Sequence, residues 1–143
     1  MSKKINFQFL ISYFGLIPYV LTFLDKYYYS LVKEEDLLNF ITYYSLIIIV
    51  FIGSINWNLK NNPPTHIIIY GFLPSLFAVI IIILNLLNYN ILIIFILIIL
   101  LLLTQLFFDY IILFANEINK KPFYFLRLPL TTLIIIFLSL ISL

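Results

Sequence analysis

Asp109 and Arg127 are the acid and base that stand closest to apolar sequence on what read as neighbouring helices. Each alone costs about 2.5–3.5 kcal/mol at a bilayer centre and less near its edge, so pairing would offset much of the cost. Two arrangements are open. In one the charges form a buried pair lining a site; in the other Asp109 faces interfacial water while Arg127 snorkels to lipid phosphate. Thr131 falls one helical turn after Arg127, so its hydroxyl either bonds that neighbour or a backbone carbonyl of its own helix. Gly53, Asn56 and Trp57 share one turn at the end of another apolar run. There Trp57 reads as an interfacial anchor or as part of a site. His66 is the only histidine and follows Pro63-Pro64, which suits a solvated helix start. With no carboxylate at ligand spacing it makes no metal site. No nucleophile–base dyad, glycine-rich phosphate loop or zinc-protease signature is present, so the sequence offers neither an enzyme nor a cofactor site.

The elements that must hold these residues are set by composition. Of 143 residues 64% are hydrophobic and 10% charged, and the mean hydropathy is +1.17. A soluble fold of this size has no interior large enough for that apolar surface, whereas lipid can cover it. The expected fold class is therefore all-α, a single domain over residues 1–143 with five transmembrane helices at about 5–24, 37–57, 66–87, 91–113 and 123–143. There is no cysteine, which excludes disulfides and thiol chemistry. A net charge of +2 is too small and scattered for nucleic acid. The chain has twenty-nine Ile, eleven Asn and eleven Tyr, usage that fits an AT-rich genome, so an isolated Asn or Tyr carries little weight. Residues that run against the bias carry more: Gly15, Pro18, Gly53, Trp57, Gly71, Pro74 and Arg127.

Gly15 and Pro18 interrupt the first span, and Pro18 frees a backbone carbonyl that a neighbouring helix or water must satisfy. This span reads as a retained helix, since no small-residue cleavage site follows it. Gly71, Ser75 and Ala78 share a face at small-xxx-small spacing that admits a close helix neighbour, and Pro74 beside them should kink the span. Asn88-Tyr89-Asn90 reads as a tight connection. The N-terminus and the second and fourth connections carry Lys3, Lys4, Lys60, Lys120, Lys121 and Arg127, six of the eight basic residues. By the positive-inside rule the N-terminus is cytoplasmic and the C-terminus outside. Gly53, Asn56, Trp57, His66, Tyr70, Gln105, Asp109, Arg127 and Thr131 then gather towards the cytoplasmic leaflet, opposite a nearly all-aliphatic outer half.

Four stretches carry a likeness: Gly15-Leu16-Ile17-Pro18-Tyr19-Val20, Tyr44 through Phe51 with Gly53 to Trp57, Pro74-Ser75-Leu76-Phe77-Ala78, and Leu126-Arg127-Leu128-Pro129-Leu130-Thr131. In them the chain resembles a family of small uncharacterised membrane proteins, a domain of unknown function. That family includes proteobacterial inner-membrane proteins and mitochondrial transmembrane protein 69-like proteins. The resemblance implies a five-span protein of the bacterial inner membrane and no activity. The chain departs from the family pattern at Ser54 and Asn58, where glycine is usual, at Asn56, where a basic residue is usual, and at Pro122, which replaces a tryptophan. The expected function is non-enzymatic: binding of a partner membrane protein, a second copy or a lipid headgroup at the cytoplasmic polar face. The alternative is a small-solute transporter or channel component with a water path past Asn56, Gln105, Asp109 and Arg127.

Overall fold

The computed structural model describes residues 3–54, 64–114 and 120–143, and among these every regular element is helical. Helix α1 covers Lys3–Phe14 and α2 covers Ile17–Leu24, continued by a π-helical turn at Asp25–Tyr29. Then come α3 at Glu34–Ser54, α4 at Thr65–Leu86 and α5 at Ile91–Phe108, the last running into a π-helical segment at Asp109–Phe114. A third π-helical turn, Phe123–Arg127, leads into α6 at Leu128–Ile141. Five stretches are long and apolar enough to cross a membrane: Phe9–Tyr29, Glu34–Ser54, Thr65–Leu86, Ile91–Ile112 and Phe123–Ile141. The first runs past its expected end at residue 24, because the π turn carries the helix through Asp25–Tyr29. The second starts three residues before Leu37, where Glu34, Glu35 and Asp36 fill the first turn and complement the helix dipole.

The helices close a circuit in which α2 packs on α3, α3 on α4, α4 on α5, α5 on α6 and α6 back on α2, with α3 also against α5. The core runs through the middle of the bundle: Ile41, Leu46 and Ile49 of α3, Ile94, Phe95, Ile98 and Leu102 of α5, and Ile134, Leu138 and Ile141 of α6. The outward residues, such as Ile47, Phe51, Ile83, Ile96 and Leu103, are as apolar as the inward ones. In lipid this is the expected outcome, since hydrocarbon replaces water as the outer solvent and the packing face is chosen by shape. Shape decides most clearly where α3 meets α4. A Cβ on Gly53 would sit 2.8 Å from Pro74 Cγ and 3.0 Å from the Gly71 carbonyl oxygen. The buried face of α4 is Tyr70, Gly71, Pro74, Ala78 and Ile81. Pro74 therefore lies in the contact itself and the half-buried Ser75 beside it, its hydroxyl on the Phe72 carbonyl at 2.6 Å.

The carbonyls that helix breaks leave open are met by tyrosines of other helices, as a lipid environment requires. At the α1–α2 break the Gly15 carbonyl accepts from Tyr44 Oη at 2.9 Å. Pro129 has no N–H to offer the Phe125 carbonyl, one turn earlier; Tyr13 Oη reaches it at 2.8 Å. The α4–α5 connection is tight as expected. Asn88 takes the left-handed conformation at φ 57°, Tyr89 N donates to the Leu84 carbonyl at 3.1 Å and Asn88 N to that of Asn85 at 3.0 Å. This is the Schellman ending of a helix. Asn90 then opens α5, its side chain accepting from Leu92 N at 2.9 Å.

Candidate functional site

Asp109 stands at the seam where α5 passes from α-helical to π-helical winding, and Arg127 at the seam where a π turn passes into α6. Winding of this kind inserts a residue into a helix and re-aims the side chains around it, and it is common at functional sites. Here the two seams bring the charges together. Arg127 Nε donates to Asp109 Oδ2, with the Asp109 side chain 4% exposed and that of Arg127 15%. Of the two arrangements open from sequence, the structure has the pair.

The pair is the centre of a larger polar knot. Tyr70 Oη of α4 donates to Asp109 Oδ1 at 2.6 Å and also lies 3.0 Å from the Gln105 carbonyl. The Gln105 side chain crosses to α3, where Nε2 donates to the Ile49 carbonyl at 3.0 Å. Thr131 answers both options posed for it: Oγ1 donates to the Arg127 carbonyl at 2.9 Å and lies 3.5 Å from Arg127 Nη1. Four helices are thus tied by side chains in a region with little competing water, where each bond gains strength and each unpaired group costs more. Two buried polar atoms of the knot have no partner among the described residues: Gln105 Oε1 and Arg127 Nη2.

Of the residues singled out from sequence, Asp109, Arg127 and Thr131 meet in this knot, and Gly53, Gly71 and Pro74 meet one another in the α3–α4 contact next to it. Ala78 lies buried further along α4, and Gly15 and Pro18 mark the α1–α2 break. Asn56 and Trp57 lie outside the described residues. His66 is in the first turn of α4 and exposed. Tyr70 carries no weight of its own in so tyrosine-rich a sequence, yet its hydroxyl donates to the Asp109 carboxylate. The available signal was its place one residue before Gly71, on the face that packs.

The opposite end of the bundle has polar groups of another kind. The buried Asp25 carboxylate accepts from Leu31 N and Val32 N, both at 3.1 Å. Lys26 Nζ donates to the Ile141 carbonyl at 2.7 Å, and Tyr27 Oη to that of Leu140 at 2.6 Å. Asn85 Nδ2 bridges from α4 to Asn39 Oδ1 at 2.9 Å and Tyr43 Oη at 3.1 Å on α3. Between the ends, the buried Ser45 Oγ donates to the Ile41 carbonyl of its own helix at 2.7 Å and lies 2.9 Å from Tyr19 Oη of α2.

A family model described as a protein of unknown function, DUF3429, matches residues 6–143. No curated protein and no solved structure matches the chain.

Proposed function

Since the chain belongs to the DUF3429 family of proteins of unknown function, we propose a role from its geometry: a non-enzymatic protein of the bacterial inner membrane that binds a lipid headgroup or partner membrane protein at its ion-pair end. In this reading the N-terminus is cytoplasmic, and the mitochondrial transmembrane protein 69-like proteins are kin. The basic residues of the connections on that side support the orientation. One observation carries the binding role. Arg127 gives Nε to Asp109, while Nη2, on the other prong of the guanidinium, is buried without a partner among the described residues. A buried donor with nothing to donate to costs about 1–3 kcal/mol, and a phosphate or carboxylate oxygen arriving from the membrane surface would remove that cost. Arg127 lies within the first turn and a half of the candidate span Phe123–Ile141, which in this reading holds it near headgroup depth. The middle of the bundle is filled by fully buried Ile41, Ile49, Ile94, Ile98, Leu102 and Leu138, which favours a binding role over a water-filled path.

Arg127→Lys tests this, because lysine keeps the charge beside Asp109 and lacks the second prong. Wild type and variant are purified from native membranes, exchanged into phosphatidylglycerol-containing nanodiscs and examined by native mass spectrometry. The expected result is a loss of retained anionic lipid of about tenfold, the scale of one charge-assisted bond. Equal retention, with the same crosslinked protein partners in both, would overturn the reading.

A further inference from the structure

Beside the knot, α4 and α5 part to form an apolar groove of about 300 Å³ whose walls include Leu73, Phe77, Leu101 and Phe108, with Gln105 and Tyr70 among its lining residues and His66 at the end nearest the start of α4. Its size is at the lower limit for a small-molecule site, roughly 300–1,000 Å³, and suits one chain rather than two. Both helices are long and apolar enough to cross the membrane, and the residues flanking the groove, such as Ile69 and Phe72, are exposed and apolar. An occupant therefore arrives sideways from hydrocarbon.

Gln105 determines what polar end such an occupant has. Its amide orientation is fixed, because only the nitrogen can donate to the Ile49 carbonyl. The amide oxygen is then committed to another side, and it is buried with no partner among the described residues, on a residue 2% exposed. An acceptor in that state calls for a donor. An ester carbonyl, a phosphodiester or an ionised carboxylate has no proton to give; a hydroxyl has one. We infer that the α4–α5 groove is a site for a single-chain lipid ending in a hydroxyl. The hydroxyl donates to Gln105 Oε1, and the chain lies along Leu73 and Phe77 towards the bundle's middle. This site is independent of the anion reading at Arg127: the two use different atoms, opposite hydrogen-bonding roles and different probes.

The test reconstitutes the full chain in phosphatidylcholine vesicles with a long-chain alcohol carrying a mid-chain diazirine, and in parallel with its methyl ether, which fills the same space and cannot donate. After photolysis, mass spectrometry maps the labels. The expected result is labelling at Leu73, Phe77 or Leu101, with the alcohol preferred over the ether about tenfold, as one hydrogen bond to a buried acceptor predicts. Gln105→Leu should bring the two probes level. Leu101→Trp, which keeps Gln105 and fills the groove, should suppress both, and guards against a Gln105→Leu chain that folds poorly. Equal labelling by both probes in wild type, or labels spread evenly over lipid-facing helices, would overturn the inference. So would an alcohol preference that survives Gln105→Leu.

Discussion

The two ends of this bundle face the same problem and meet it differently. At the Asp25–Glu35 end, charged and hydroxyl side chains serve the backbone. Asp25 holds the N–H groups of a turn, and Lys26 and Tyr27 close the last carbonyls of α6. At the Asp109–Arg127 end the charges serve one another, through a knot with Tyr70, Gln105 and Thr131. A side chain that caps a helix is replaceable, because water at the interface can take over its bond. A buried pair is not, because removing one partner leaves the other charged and dry. Both ends leave buried polar atoms unmatched among the described residues, but of different kinds: a neutral hydroxyl, Thr22 Oγ1, one turn before Asp25, and a charged N–H with an amide oxygen, Arg127 Nη2 and Gln105 Oε1, at the knot. A charged donor left dry costs more than a neutral hydroxyl does, so the capped end reads as architecture and the knotted end as a site.

That contrast can be broken experimentally, most directly at Asp109. Asp109→Ala strands the Arg127 guanidinium and should cost about 3–5 kcal/mol, read as a lower midpoint when purified protein is titrated with a denaturing detergent. Replacing both as Asp109→Ala/Arg127→Met should be milder than Asp109→Ala alone. A double variant that is worse would show the two residues contributing separately, not as a pair. Next in size is Tyr70→Phe, which removes the hydroxyl from Asp109 Oδ1 and the Gln105 carbonyl; about 1 kcal/mol is expected, within the range of hydrogen bonds between membrane helices. A loss near zero would take Tyr70 out of the knot. Smaller again is Lys26→Met at the capped end, with about 0.3–1 kcal/mol expected for a cation removed from a helix C-terminus. Glu34→Gln should change less still. Glu34 lies 3.2 Å from Lys26, but its side chain is 66% exposed, and exposed pairs contribute little. If Lys26→Met proved as damaging as Asp109→Ala, the distinction between the two ends would fail.

Much of the architecture was legible because hydrocarbon imposes simple rules. Length and apolarity were enough for five helices able to span, whereas the close approach expected on the Gly71–Ser75–Ala78 face falls on Gly71 and Pro74 against Gly53, with Pro74 in the contact and Ser75 beside it. The site was less legible. Spacing placed Asp109 and Arg127 on adjacent helices at similar depth, but whether they met depended on two π-helical seams that no periodicity reveals. The low weight given to asparagine and tyrosine left Tyr70 as one of several polar residues at that end with no role of its own, and Asn88 and Asn90 as a tight connection without their particular backbone roles. Composition raises how often a residue type occurs without changing what its side chain can do at a given place. Gln105 was grouped with the polar face, but the fixing of its amide by Ile49 needs the third dimension.

The ties between Lys26 and Ile141, Tyr27 and Leu140, and Tyr13 and Phe125 join positions 115, 113 and 112 residues apart. The ribosome delivers the chain in order, so α2 enters the bilayer long before α6 exists. Lys26 and Tyr27 then have no helix end to cap, and the Tyr13 hydroxyl no carbonyl to meet. For most of its synthesis the bundle is an open clasp, complete only when its last helix swings in beside one of its first. A helper that shields α2 during that interval, or a protease that samples it, would act on a nascent chain rather than on the finished protein.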